Sequence, residues 1–332
     1  MRTAVVTGAA GFIGSHLVDL LLDEGFAVRA IDNLAIGRLD NLAHHARTPH
    51  LDLDEQDVCD VPADSPVFRG ADVVFHLAGI GDIVPSIERP LDYLRANVTG
   101  TLAVLEAARH ASVRKLVYAA SSSCYGLARE LPTTEQAPIQ PEYPYALSKW
   151  LGECAVLHWA RVYGLPVCSL RLFNVYGPRV RTTGAYGAVF GVFLAQKLRG
   201  RPFTVVGDGT QTRDFVFVTD VARAFVLAAR SPGTGEVFNV GAGAPQSVNR
   251  LVELLGGDVV HLPERPGEPR TTWADITRLH QATGWKPTMA FEDGVALMLR
   301  QIDAWRDAPL WTPETIQAAT QTWFRYLGSP AR

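Results

Sequence analysis

The 332-residue sequence has only four cysteines, Cys59, Cys124, Cys154 and Cys168, and none stands in a Cys-x-x-Cys pair. That scatter excludes a disulfide scaffold and a zinc site of ordinary spacing, so no metal is expected. No run of about 18 apolar residues occurs, so no membrane partner is expected. The apolar pattern begins at Ala4, which leaves no space for a signal peptide. With the unpaired thiols, this predicts a cytoplasmic protein. Positive charge is not in excess either: 31 Lys and Arg against 34 Asp and Glu leave a net charge of −3, which argues against nucleic acid as a general partner. Repeats and low-complexity linkers are missing. What remains is ordinary globular composition, 47% hydrophobic and 20% charged, at a length that suits one large or two modest domains.

Against that background, Ala4 to Gly14 stands out. Ala4-Val5-Val6 reads as a buried strand, and Gly8, Gly11 and Gly14 punctuate the turn into a helix with Ile13, Leu17, Leu20 and Leu21 on one face. Glycine there tolerates positive φ and close approach of a ligand, and the N–H groups at the helix start, around Phe12 and Ile13, would face a pyrophosphate. The next strand, Phe26 to Ile31, ends at Asp32, the spacing at which an acid takes the adenosine ribose hydroxyls. This combination predicts a dinucleotide site. Asp32, followed by Asn33, would repel a 2′-phosphate, so NAD is expected over NADP; Arg38 is the residue that could accommodate that phosphate instead.

Further along, strand and helix patterns alternate. A weak strand near Leu51 precedes Asp57-Val58, which fits either the edge of an adenine pocket or a polar loop. Asp72 to Leu77 reads as a buried strand, and Ala78-Gly79 would let a cofactor lie at its carboxyl end. A helix over Pro90 to His110 contains Asn97. Lys115 to Ala120 reads as a strand that runs into Ser121-Ser122-Ser123, either a polar turn or a ligand site. Tyr145 and Lys149 sit one turn apart on the same face of the next helix, where an ammonium would lower the tyrosine pKa and make it a general base; alone, the spacing is common by chance. After a sixth strand ending at Leu172 the elements shorten. Expected there are a helix over Asp220 to Ala229, a strand over Glu236 to Val240 returning to the sheet, and a short strand over Thr271 to Ala274. A final helix is announced by Thr312 as N-cap and Pro313 at N1, with Trp323, Phe324 and Tyr326 expected to pack on the body.

Taken together, these pieces resemble the extended short-chain dehydrogenase/reductase family, specifically its nucleotide-sugar epimerases. The motifs that carry the resemblance are the glycine loop, Asp32, His76-Leu77-Ala78, Asn97-Val98-x-Gly100-Thr101, the serine cluster, Tyr145-x-x-x-Lys149, Arg171-x-x-Asn174-x-Tyr176-Gly177-Pro178 and Arg213-Asp214. It runs to about Pro287; the tail after Arg300 is not typical. The resemblance implies an α/β fold: a Rossmann-type doubly wound parallel sheet with a smaller C-terminal α/β substrate domain. NAD binding falls to residues 1–178, with 212–240 returning to them, and the nucleotide sugar to 179–211 and 241–332. It implies NAD-dependent C4 epimerisation of a UDP-sugar or other nucleoside-diphosphate sugar, in a homodimer. Tyr145 would remove the 4-hydroxyl proton as the C4 hydride leaves, Ser121 would hydrogen-bond the same hydroxyl, and Lys149 would bind the nicotinamide ribose. Leu77, Asn97 and Phe173 complete the cofactor side. Asp82, Ser123, Asn174 and Val189 are implied at the substrate, with Arg213 and Arg265 on the diphosphate and Glu268 on the nucleotide ribose.

Departures from the family pattern bear on the sugar. Asp82 replaces a small hydroxyl residue, and Gly191 stands where many relatives have proline. Thr272, four residues after Glu268, replaces a tyrosine that resembles a gate against C2 substituents, unless an insertion near Pro269 shifts the register. Ser122 and Ser123 stand where the resembling 4,6-dehydratases carry Asp and Glu. Competing readings are a decarboxylase, dehydratase, reductase or uronate epimerase of the same family, and a non-catalytic NAD sensor.

Overall fold

Near-continuous apolar runs such as residues 73–75 and 116–120 are buried along their whole length, the pattern of strands covered by helices on both faces. In the computed structural model, which describes residues 1–180 and 189–328, the first half places helical segments between successive sheet strands. It runs β1 (Thr3–Thr7), α1 (Phe12–Asp23), β2 (Ala27–Asp32), β3 (Leu51–Glu55), β4 (Val73–His76), α2 (Ile83–Glu88), α3 (Pro90–Leu94), α4 (Gly100–His110), β5 (Lys115–Ser121), α5 (Pro144–Tyr163) and β6 (Val167–Leu172). The second half is more broken: β7 (Asn174–Tyr176), α6 (Val189–Leu198), β8 (Phe203–Val206), β9 (Thr212–Arg213), β10 (Phe215–Phe217), α7 (Val218–Arg230), β11 (Glu236–Val240), β12 (Gln246–Ser247), α8 (Val248–Leu255), β13 (Val259–Leu262), α9 (Thr277–Thr283), α10 (Phe291–Arg300) and α11 (Pro313–Leu327).

Seven strands form one parallel sheet in the order β11-β6-β5-β4-β1-β2-β3. This is the doubly wound Rossmann arrangement with an added edge strand, so ligands belong at the carboxyl ends of β1 and its neighbours. α7 lays Val221, Ala222, Ala224, Phe225 and Ala228 on that sheet and on α1, a helical-period stripe. A second core gathers Phe190, Phe193, Phe203, Phe215, Phe217 and Phe291 with Tyr176, between α6, α10 and the β10–β7 and β13–β8 ladders.

Several expectations change. Helix α7 and strand β11 return to the main sheet, but residues 212–217 do not. β9 pairs with β12 and β10 with β7, because Arg213 and Phe215 are drawn to the second core and its cavity. No strand forms over Thr271 to Ala274; Thr271 and Ala274 make isolated bridges to Thr212 and Thr133, since each faces a different neighbour. The helix over Pro90 to His110 is continuous only through a π-helical segment at Arg95–Thr99. That wide turn lets Asn97 reach inward: its side chain accepts from the Ile80 N–H at 2.9 Å and donates to the Ile80 carbonyl at 3.0 Å and Ser148 Oγ at 2.8 Å.

The final helix starts where expected. Thr312 Oγ1 accepts from the Thr315 N–H at 3.3 Å, and the Thr315 hydroxyl oxygen accepts from the Thr312 N–H at 2.8 Å, closing a capping box. Of its aromatics only Trp323 is buried; Phe324 and Tyr326 are exposed, because a helix lying on the surface buries one stripe only.

Candidate active site

The cofactor side is built on β1, α1 and β2. Gly8 leaves β1 with φ +69°, and a Cβ on Gly14 would stand 2.0 Å from the Gly8 carbonyl, so only glycine lets the helix sit this close to the loop. Gly11 is the N-cap of α1 and no side chain caps the first turn, which leaves the Phe12 and Ile13 N–H groups for an anion. Asp32 is buried at the end of β2. Its two carboxylate oxygens accept from the Ala10 and Leu34 N–H groups, both at 2.9 Å, and each keeps a lone pair for a ribose hydroxyl. Loss of water around it pushes its pKa up, against the pull of those two N–H groups. Arg38 pairs with Asp40 at 3.0 Å on the surface. Asn33 hydrogen-bonds Asp57, whose carboxylate caps the next turn through the Cys59 N–H at 2.8 Å, and Val58 is buried beside it. An uncapped helix start beside a held carboxylate fits the pyrophosphate and adenosine ribose of NAD.

Behind the loop, a residue quoted only as part of a motif organises the floor. His76 is fully buried, which drives its pKa down to about 3, with Lys149 adding to the effect, so the ring is neutral. Thr101 gives its proton to the Asn97 carbonyl at 2.7 Å and must accept from His76 Nε2–H at 3.0 Å. His76 Nδ1 then accepts from Thr7 at 2.7 Å, and Thr7 Oγ1 accepts from the Ala78 N–H at 3.1 Å. This chain, with the Leu77 N–H on the Thr7 carbonyl at 3.1 Å, sets the Leu77-Ala78-Gly79 edge against β1.

At the carboxyl end of β5 and the start of α5 the candidate catalytic groups meet. Ser121 Oγ is hydrogen-bonded to Tyr145 and lies 2.8 Å from Ser123 Oγ, which is hydrogen-bonded in turn to Tyr143. Burial pushes the Tyr145 phenol up; the Ser121 hydroxyl pulls it back and Asp82 adds to the rise. On balance the phenol is raised, not lowered as its spacing to Lys149 predicts. The Lys149 ammonium instead lies 4.6 Å from the centre of the Tyr118 ring, and desolvation brings its pKa down to about 8. One turn on, Glu153 and Arg171 form a buried ion pair at 2.6 Å. Arg171 also donates to Tyr125 Oη at 2.8 Å and to the Glu135 carbonyl at 3.1 Å. Sequence reading assigned this pair no role; the one local signal was a glutamate four residues after Lys149 on the same helix face.

Beside these groups opens a cavity of about 430 Å³. Asp82, Ser123, Asn174, Val189, Arg213, Arg265, Glu268 and Thr272 all line it, together with Ser121, Phe173 and Tyr143. Glu268 lies between the two arginines, 2.7 Å from Arg213 Nη2 and 3.6 Å from Arg265 Nη1. Its Oε2 is buried and, among the described residues, has no hydrogen-bond donor. Thr272 donates to Asn174 Oδ1 at 2.8 Å and accepts from the Asp214 N–H at 3.0 Å, so its methyl and not a bulky ring borders the space. Buried Asp214 anchors the loops behind it, accepting from the Ala242, Gly243 and Ala274 N–H groups at 2.6 to 3.2 Å. Elsewhere, Asp19, His44 and His45 bring three possible ligand atoms within 4.8 Å, but Arg179 Nη1 stands 2.8 Å from the same carboxylate and already supplies the positive charge.

A family model described as the NAD dependent epimerase/dehydratase family matches residues 4–241. A UDP-glucose 4-epimerase of Mycolicibacterium smegmatis is 38% identical over 305 residues, 89% of this chain and 96% of the relative. The solved structure of a UDP-N-acetylglucosamine 4-epimerase from Methanobrevibacter ruminantium, in complex with UDP-N-acetylmuramic acid, is similar with TM-score 0.85 at 34% identity, covering 90% of this chain and 99% of that one. A UDP-glucuronic acid 4-epimerase from Bacillus cereus, in complex with UDP-glucuronic acid and NAD, gives 0.84 at 30% identity, with 91% and 99% covered.

Proposed function

Because the chain belongs to the NAD-dependent epimerase/dehydratase family, we propose that it epimerises C4 of a UDP-hexose or UDP-N-acetylhexosamine through a transient 4-keto sugar. The observation that carries this reading is the cavity itself. It joins the hydroxyl of Ser121, hydrogen-bonded to Tyr145, to the Arg213–Glu268–Arg265 cluster in one space. Tyr145 takes the proton of the 4-hydroxyl and later returns it, while Ser121 holds that oxygen. Bound NAD supplies the acceptor and donor for the C4 hydride. Lys149, buried beside Tyr118, binds the nicotinamide ribose. The Arg213 and Arg265 guanidinium groups meet the diphosphate, and the Glu268 carboxylate, whose Oε2 has no hydrogen-bond donor among the described residues, accepts a nucleotide hydroxyl. Incubation with a panel of UDP-, dTDP- and GDP-sugars, with separation of products, should yield a C4 epimer of a UDP-sugar. A stable 4-keto-6-deoxy product would contradict it, because Ser122 and Ser123 supply no acid or base to expel water.

Two features of the cavity favour neutral sugars with room at C2. The Asp82 carboxylate on its wall opposes a uronate, so UDP-glucuronate should be turned over far less well than UDP-glucose. Thr272 leaves space for an acetamide, whose methyl adds only about 1–3 kcal/mol of discrimination, so UDP-GlcNAc and UDP-glucose should both be accepted. Thr272→Tyr should suppress the N-acetylated substrate and spare the plain one. A wild type that rejects UDP-GlcNAc while epimerising UDP-glucose would refute the gate.

We assign 1–178 with α7 and β11 to NAD, and the remaining segments to the nucleotide sugar, working in the cytoplasm as four free thiols suggest. Assembly is proposed as a homodimer through the α3–α4 and α5 face. There Leu91, Leu147 and Leu151 are exposed, whereas Trp159 is turned to α4 by its hydrogen bond to Glu106 Oε1 at 2.7 Å. Sedimentation showing only a 36.1 kDa species at micromolar concentration would refute the dimer.

A further inference from the structure

We propose that the C-terminal helix α11 is a wall of the nucleotide-sugar cavity and that Trp323 is a positioning residue for Arg265. Trp323 lines the cavity while being only 5% exposed. Its indole N–H donates to the Pro266 carbonyl at 2.7 Å, and the Arg265 guanidinium lies over its ring, 5.8 Å from the centre. A Cβ at Gly328 would meet Pro266 Cγ at 3.3 Å, so the end of the helix rests on the same turn. On the other side, Thr322 Oγ1 donates to Glu88 Oε1 at 3.0 Å, tying α11 to α2, whose first residues border the cavity.

Helix α11 therefore spans from α2, beside the main sheet, to the turn that carries Arg265 and Glu268. The Trp323 ring is 6.3 Å from that of Tyr143, and Tyr143 stacks 6.3 Å from Tyr145. A flexible turn that must present an arginine to a diphosphate loses affinity through its own disorder; a ring face and a backbone hydrogen bond remove that freedom before the ligand arrives.

The inference rests on the nucleotide-sugar reading, and the test separates the two. UDP is titrated by calorimetry into wild type, Trp323→Leu and Trp323→Phe, each saturated with NAD. Trp323→Leu should weaken UDP about 10-fold and raise KM for the sugar nucleotide by a similar factor, with kcat and NAD affinity unchanged. Trp323→Phe, which keeps a ring face and loses the N–H, should fall between. In combination with Arg265→Met the losses should not add, because both act through one guanidinium. Wild-type affinity for UDP in Trp323→Leu would overturn the inference alone, as would equal losses in NAD affinity and kcat, the mark of general structural damage. A wild type that binds no UDP would overturn the cavity assignment with it.

Discussion

Tyr145→Phe should lower turnover by at least about 10²-fold, the lower end of the effect of a positioned acid–base group, while fold and NAD binding survive. The hydroxyl is the atom at issue: it is hydrogen-bonded to Ser121, which lines the cavity, and phenylalanine keeps the ring in its place between Tyr93 and Tyr143. The pH profile adds a second reading of the same group. Burial raises the phenol pKa and the Ser121 hydrogen bond lowers it. The form that accepts a proton is the phenolate, so activity should rise with pH on a limb set by this group. Removing the lowering influence in Ser121→Ala should carry that limb to higher pH. Steady-state rates across pH for wild type and both variants check this. Near wild-type turnover in Tyr145→Phe would show that another group takes the proton.

Arg171→Met should destabilise the protein by about 3–5 kcal/mol, the cost of leaving a buried charge without its partner. Glu153 is 1% exposed on its side chain and accepts from Arg171 through both Nε, at 3.1 Å, and Nη2, at 2.6 Å. The methionine would also forfeit the bonds to Tyr125 and Glu135 that tie β6 to the loop before α5. Because Glu153 lies one turn after Lys149, the disturbance reaches the reacting helix, and activity should fall with stability. Adding Glu153→Gln should recover part of the loss, since an amide no longer buries an unpaired charge. Denaturant unfolding of the three proteins measures this; a loss below about 1 kcal/mol for Arg171→Met would mean that the pair is solvated and dispensable.

The sheet and the cofactor loop were legible because their signals are local. Gly8, Gly11 and Gly14 lie within seven residues, and Asp32 follows at the end of the very next strand. Tyr145 and Lys149 share a helix face by periodicity alone. The eight cavity residues lie far apart in the chain, from Asp82 to Thr272, and no spacing rule joins them; the family resemblance did so. What sequence reading missed depends on neighbours from elsewhere. Lys149 lies against the Tyr118 ring because β5 passes beneath α5, and burial, the largest influence on Tyr145, raises its pKa. The Glu153–Arg171 pair joins a helix to the following strand with no motif to announce it. Helix α11 was expected from its cap, but which aromatic turns inward depends on where the Pro266 turn lies. The strand expected over Thr271 to Ala274 failed for the same reason: its apolar and β-branched residues are drawn to two different neighbours.

The central claim is that the sugar is oxidised and re-reduced at C4 with its own hydride. NAD-loaded enzyme turning over UDP-glucose or UDP-GlcNAc in D₂O, followed by NMR and mass spectrometry, tests it most directly. The account predicts a C4 epimer of unchanged mass, without deuterium at C4 and without NADH accumulating in proportion to product. Deuterium at C4, loss of water or carbon dioxide from the sugar, or one NADH formed per product would contradict it.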